Sequence, residues 1–383
     1  MHTAKRTHGF TESVIRGMTR LANQHGAVNL GQGFPNFPCP DLLKEAAARA
    51  IRDDVNQYAI TWGAKRLRDA VARKYGDWYG LAVDPETEVT VTCGATEAMA
   101  SAVLALVDPG DEVIVFEPFY ENYGPDAILC DARPVFVPLA PDAPLDLDRV
   151  EAAFGPRTRA IVVNTPNNPT GRVLTRAELT GIARLCQAHG AYALTDEIYE
   201  HIRYGGEHVH MATLPGMRDL TVTVSGYSKT FSITGWRIGT VVAPGPLTAA
   251  IRKVHDFLTV GAPAPLQEAV AAAVDGLPRA YYDEMAATYR RRRDLLCAAL
   301  AKAGFRVVPP QGAYYVLADY GALSDLDDVA FATELVVKHG VASVPASSFH
   351  ASPDPRRRVV RFAFCKTEDV LEEAARRLAR VRG

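Results

Sequence analysis

TVTVSGYSKTFSITGWRIG, residues 221 to 239, runs a β-branched apolar segment into a loop of small residues and sets a lysine, Lys229, just beyond the strand. Continuous rather than alternating hydrophobicity marks a strand covered on both faces, which is the habit of a parallel sheet inside an α/β fold. An ammonium group is strongly hydrated, so a lysine at the end of such a strand is either a solvated loop residue or an amine held out of water for chemistry. Arg237, eight positions on, adds a second cation to the same loop.

Working outward, similar runs recur at 88–93, 112–117, 133–138, 159–164, 191–196 and 238–243, separated by amphipathic stretches such as TEAMASAVLALV and TRAELTGIARLCQAHG. This alternation predicts a mostly parallel, seven-stranded sheet flanked by helices. Beyond about residue 250 the text changes to long helical periodicity, then to short strands FRVVPP, AYYVLAD and VVRFAF and a terminal helix, the pattern of a smaller α+β domain. The predicted divisions are an N-terminal arm and part of the small domain over 1–45, a large domain over 46–285 and a small C-terminal domain over 286–383. The arm ends in NLGQGFPNFPCP, whose glycines and prolines suit a loop reaching across a cleft.

Composition narrows the function classes. With 383 residues, 48% hydrophobic, 22% charged and a formal net charge of −2, the chain has the makings of two packed domains and no basic excess for nucleic acid or an anionic membrane. The arginines of YRRRRD (289 to 294) fit a solvated helix face. Six cysteines are scattered without paired spacing, which predicts a reducing, cytoplasmic setting. No apolar run approaches membrane-spanning length, and no metal-ligand spacing stands out, HVH at 208 to 210 aside.

In parallel sheets ligands gather at the carboxyl ends of the strands, and there the residues form a chemically coherent set. Gly94, Ala95 and Thr96 open a helix whose free N–H groups suit a phosphate, although strand, glycine and helix also occur without one. Asn164, Asn167 and Asn168 sit in a proline-rich turn that serves equally as a plain turn or as a source of amides. Asp196 ends an apolar strand, with Tyr199 three residues on; a carboxylate there is either a helix cap or the partner of a buried cation. Arg361, inside VVRFAF, can grip a carboxylate with two parallel hydrogen bonds. An anion cradle, a buried acid, an imine-capable amine and a carboxylate clamp are together what pyridoxal phosphate requires.

The order and spacing of GQGFPNFPCP, NQYAITWGAKRLRDAVA, CGATEAM, EPFYENY, NTPNNPTG, TDEIYEH, YSKTFSITGWRIG and VVRFAF resemble the fold-type I, pyridoxal-phosphate-dependent aminotransferases of classes I and II over nearly the whole chain. The branch it looks most like contains kynurenine aminotransferase, glutamine transaminase K and methionine aminotransferase. The resemblance implies that Lys229 anchors the cofactor aldehyde and shuttles the proton, Asp196 pairs with the pyridine nitrogen, and Asn168 and Tyr199 hold the phenolic oxygen. Tyr120 would stack on the ring. Gly94, Ala95, Thr96 and Arg237 would cradle the phosphate, with Tyr58 from a neighbouring subunit of a homodimer. Arg361, Asn168, Gly33 and Phe34 would meet the substrate.

One position departs from the pattern: Gly226 stands where relatives carry a phosphate-binding serine, leaving Ser225 or Ser228 to supply the hydroxyl. Aromatic residues Phe34, Tyr58, Tyr120, Tyr123, Tyr314 and Phe349 suggest an aromatic-lined pocket for an aromatic, methionine, glutamine or kynurenine-like amino acid, although some suit core packing equally. The expected reaction moves the amino group of an L-amino acid to a 2-oxo acid. A cysteine-conjugate β-lyase uses the same residues, an oxidase or decarboxylase fits the scaffold less well, and a cofactor-sensing regulator would want an added DNA-binding domain.

Overall fold

The computed structural model describes residues 3–10, 12–352, 354 and 356–381. Its strands are β1 (Val28–Asn29), β2 (Val89–Thr92), β3 (Glu112–Glu117), β4 (Arg133–Pro138), β5 (Thr158–Asn164), β6 (Tyr192–Asp196), β7 (Thr221–Gly226), β8 (Gly239–Val242), β9 (Arg306–Val307), β10 (Tyr315–Asp319), β11 (Val341–Ala342), β12 (Val344–Pro345) and β13 (Val359–Ala363). Seven of them form one sheet in the order β2-β8-β7-β6-β5-β3-β4. The pairings from β7 through β6, β5 and β3 to β4 are parallel, whereas β8 runs antiparallel to both β7 and β2. The predicted sheet is therefore present, with one reversed strand, β8.

Both faces of the sheet are covered. On one, Val222, Val224, Val241 and Val115 pack against Ala98, Ala102 and Val103 of the helix Gly94–Leu106. On the other side of the same sheet, Ile114, Phe116, Ile161, Val163 and Ala193 pack against Leu179, Ile182 and Ala183 of the helix Arg176–His189, which a Thr175/Glu178 capping box starts.

After β8 come three consecutive helices, Gly245–Thr259, Ala264–Gly276 and Arg279–Ala303, and then an antiparallel sheet β12-β13-β10-β9. The N-terminal arm joins this second assembly, since β1 pairs in parallel with β11. Leu30 and Met18 share a core with Tyr314, Val360 and Phe362. No helix among the described residues is long and apolar enough to cross a membrane.

Candidate active site

The carboxyl ends of β2, β5, β6 and β7 surround a cavity of about 190 Å³. Ala95, Thr96, Tyr120, Tyr123, Asn164, Asn168, Asp196, Tyr199, Ser228, Lys229 and Arg237 line it, all of them singled out in the sequence, together with Met99, Asn122, Ile198 and Tyr315.

Lys229 reaches the wall from just beyond β7, and its Nζ donates to the carbonyl of Gly33 at 3.3 Å. Burial lowers its pKa to about 8; the Arg237 cation adds to this fall while Cys365 opposes it. Asp196, the last residue of β6, is buried, and its Oδ2 accepts the phenolic hydrogen of Tyr123 at 2.6 Å. Its Oδ1 accepts from the Ile198 N–H at 3.3 Å. Burial raises the Asp196 pKa, with the Tyr123 hydrogen bond opposing it. No salt bridge reaches this carboxylate among the described residues, so a buried acid faces the cavity without a cationic partner of its own.

The side of the cavity beside Arg237 is built by close backbone approach. Gly94 has φ +83°, and a Cβ there would collide with the Arg237 guanidinium; a Cβ on Gly239 would collide with the backbone of Gly94 and Ala95. The N-terminus of the helix Gly94–Leu106 thereby opens directly onto the cavity beside Arg237, a cradle for an anion.

The two serine candidates separate. Ser225 lies inside β7 and its hydroxyl donates to Glu200 Oε1 at 3.0 Å, away from the cavity wall, so it is corrected from a phosphate ligand to part of a buried network. Ser228 lines the cavity and its buried hydroxyl has no partner. Strand alternation explains the split: Val222 and Val224 face the helix Gly94–Leu106, position 226 continues that face, and 225 points the other way. A residue at 226 larger than glycine would sit 3.2 Å from the Ile238 carbonyl.

Arg361 is enclosed in the small assembly, 1% exposed, with its guanidinium 4.2 Å from the Tyr315 ring and 4.7 Å from that of Phe349. It donates to Asn168 Oδ1 at 2.9 Å and to the Gly31 carbonyl at 2.8 Å, while its Nε has no partner. It therefore sits behind Asn168 rather than on the cavity wall. Asn164 also differs from the amide source its turn suggested: it ties β5 to β6 by donating to the Asp196 carbonyl at 2.9 Å and holds the Asn168 N–H at 2.7 Å. Tyr314 and Phe349 are buried behind the wall, and Tyr315 takes the wall position, its hydroxyl 3.2 Å from that of Tyr199. Tyr58 is 86% exposed and Phe34 38% exposed; neither lines this cavity within the single chain. Tyr123 lines the cavity as the sequence suggested, but as a hydrogen-bond donor to Asp196 as well as an aromatic wall; Tyr315 was missed because it sits beside Tyr314, and only packing decides which of that pair faces inward.

Beneath Asp196 lies a second, closed polar cluster. Lys74 meets Glu200 at 2.5 Å, Tyr79 also reaches Glu200, and Glu197 is shared by His208 Nε2 at 2.7 Å and His210. The HVH histidines thus serve a buried carboxylate, and the pair Glu197/His210 is held as an ion pair, with the His210 pKa raised to about 9 against the pull of burial.

A cradle for an anion, a buried acid without a cation, an unpartnered hydroxyl and an amine of lowered basicity converge on one cavity. The model of the family "Aminotransferase class I and II" matches residues 25–378. The chain belongs to this family. Among its relatives, the protein named "Probable N-succinyldiaminopimelate aminotransferase DapC" of Mycobacterium tuberculosis is 42% identical over 98% of both chains, and a solved structure of N-succinyldiaminopimelate aminotransferase from Mycobacterium tuberculosis, also 42% identical, superposes with a TM-score of 0.96, covering 99% of this chain and 100% of that one. Methionine aminotransferase of Escherichia coli is 39% identical over 96% of this chain and 95% of its own. Kynurenine–oxoglutarate transaminase 1 of Homo sapiens is 36% identical over 96% of each. This aminotransferase thus has the relatives its motifs predicted, and the DapC branch besides.

Proposed function

We propose that the chain is a pyridoxal 5'-phosphate-dependent aminotransferase that moves the amino group of an L-amino acid to a 2-oxo acid, working as a cytoplasmic homodimer. The observation that carries the reading is the pairing, across one cavity, of the low-basicity amine of Lys229 with the buried, cation-free carboxylate of Asp196. Ala95, Thr96, Ser228 and Arg237 would hold the phosphate, Asp196 the pyridine nitrogen, Asn168 and Tyr199 the phenolic oxygen, and Tyr120 the ring face. When bound, the cofactor supplies an aldehyde and a protonated ring able to delocalise charge from the substrate's α-carbon.

The chain's own groups do the rest. Lys229 Nζ holds and moves the α-proton, a task suited to an amine that is partly neutral near physiological pH. Arg361, bonded to Asn168 and the Gly31 carbonyl in the chain as it stands, would grip the α-carboxylate by exchanging those acceptors for the substrate's oxygens. The arm carbonyl of Gly33 over Lys229 helps keep water out. Exposed Tyr58, Ile60, Phe257 and Leu258 supply apolar surface that a second copy would bury, with Tyr58 offered to the neighbour's phosphate site. Aromatic, methionine, glutamine or kynurenine-like donors are the candidates that the sequence motifs support. N-succinyldiaminopimelate joins the candidates because the M. tuberculosis relative is named for it.

The test is to add pyridoxal 5'-phosphate, follow visible absorbance, reduce with borohydride and locate the adduct by peptide mass. An adduct on Lys229 is expected; a colourless protein without one overturns the reading. Twenty amino acids and N-succinyldiaminopimelate, each against pyruvate, 2-oxoglutarate and 2-oxo-4-methylthiobutyrate, then define the substrates.

A further inference from the structure

Every backbone carbonyl from Leu30 to Phe34 is held by a donor distant in sequence. Leu30 accepts from the Ala363 N–H at 2.6 Å and Gly31 from Arg361 at 2.8 Å. Gly33 accepts from Tyr314 at 2.9 Å and from Lys229 at 3.3 Å. Gln32 and Phe34 both accept from one group, Lys366 Nζ, at 3.3 and 2.8 Å. The same ammonium lies 4.2 Å from the centre of the Phe34 ring. Asn36 and Thr367 extend the grip, the Thr367 N–H donating to Asn36 Oδ1 at 2.7 Å.

Lys366 is 4% exposed and forms no salt bridge among the described residues, so carbonyl dipoles and an aromatic face are all that replace its water. A buried ammonium without an anion is an expensive way to fill space. Phe34, by contrast, is the more exposed partner at 38%, so what its ring gives at this contact is a face for the ammonium rather than buried core.

We propose that Lys366 is a positioning residue for the substrate site: by reading the carbonyls of Gln32 and Phe34 it sets the register of residues 30–34, so that Gly31 meets Arg361 and Gly33 meets Lys229. Lys366 touches neither cavity nor reacting atoms; it acts through the arm. The proposal rests on the aminotransferase reading for its kinetic consequences, but not for its structural one.

The experiment compares the full chain, loaded with pyridoxal 5'-phosphate, with Lys366→Met, Lys366→Arg and Phe34→Leu. For the best donor from the substrate screen, Lys366→Met is expected to raise KM at least tenfold, with kcat changed less than threefold and the cofactor dissociation constant within twofold. Hydrogen exchange in the peptide spanning 28–37 should accelerate at least tenfold, and Lys366→Arg should recover most of both effects. Phe34→Leu keeps an apolar side chain and removes only the ring that Lys366 faces, so it folds even where Lys366→Met does not; its readout is exchange in 28–37, which should accelerate by a smaller factor, and not KM, since Phe34 is itself expected to meet the substrate. Unchanged exchange in 28–37, or a KM rise matched by an equal loss of cofactor affinity, overturns the proposal. The exchange measurement needs no turnover, so a protein that transaminates no amino acid would count against the function while the register role is still decided.

Discussion

The Tyr123 hydroxyl donates to Asp196 across 2.6 Å, joining the residue that opens the helix Tyr123–Leu129 to the last residue of β6. This bond supports the ionised form of a carboxylate that burial would otherwise neutralise. Tyr123→Phe keeps the ring and removes the donor. Because a hydrogen bond to a charged group is worth about 1.5–3 kcal/mol, turnover should fall about 10- to 100-fold. Steady-state kinetics together with the pH titration of the bound chromophore check this; an unchanged kcat would remove Tyr123 from the site's electrostatics.

Burial pushes the Lys229 amine down from its ordinary 10.5 to about 8. The neutral amine, which alone attacks an aldehyde, accordingly gains population as pH rises through about 8. The rate of pyridoxal phosphate capture should rise with a midpoint there, followed by stopped-flow absorbance. Since the folded state disfavours the charged form, this group's contribution to stability is present above pH 10.5 and is lost as pH falls through about 8. Lys229→Ala should abolish both the chromophore and transamination.

Ser228 and Ser225 make opposite predictions. Ser228→Ala removes a cavity-facing hydroxyl with no internal partner, and the cofactor dissociation constant should rise about tenfold, equivalent to about 1.4 kcal/mol. Ser225→Ala should leave that constant within about twofold but lower the melting temperature, because Glu200 loses a donor. Equilibrium titration and thermal melts of the two variants separate these effects. The reverse pattern would return the phosphate contact to Ser225.

Lys74→Met takes the lysine cation from the buried Glu200 carboxylate that it meets at 2.5 Å, leaving the Tyr79 and Ser225 hydroxyls as donors. Loss of one partner of a buried pair costs about 3–5 kcal/mol, so the variant should unfold at clearly lower denaturant concentration. Replacing Lys65, whose partner Asp69 is on the surface, should change stability by less than about 1 kcal/mol. Urea melts of both variants measure the contrast.

Much of this was legible in the chain because it depends on local pattern. Unbroken β-branched runs mark doubly covered strands, and all seven proposed strands of the large sheet fall within a residue or so of their observed limits. Lys229, Asp196, Asn168 and Tyr199 stand out because each is a polar group at the end of an apolar strand, where burial demands a purpose. The reversal of β8 was less visible, since hydrophobicity alone does not give strand direction.

What the amino-acid order determined by itself was the set of elements and the chemistry at their ends. What only tertiary structure decided was which neighbour faces inward: Ser228 rather than Ser225, Tyr315 rather than Tyr314, and Arg361 behind Asn168 instead of on the wall. The reason is physical. Periodicity is written over a few residues, whereas the aim of a side chain is fixed by partners such as Gly31 and Arg361, or Phe34 and Lys366, that are more than 300 positions apart.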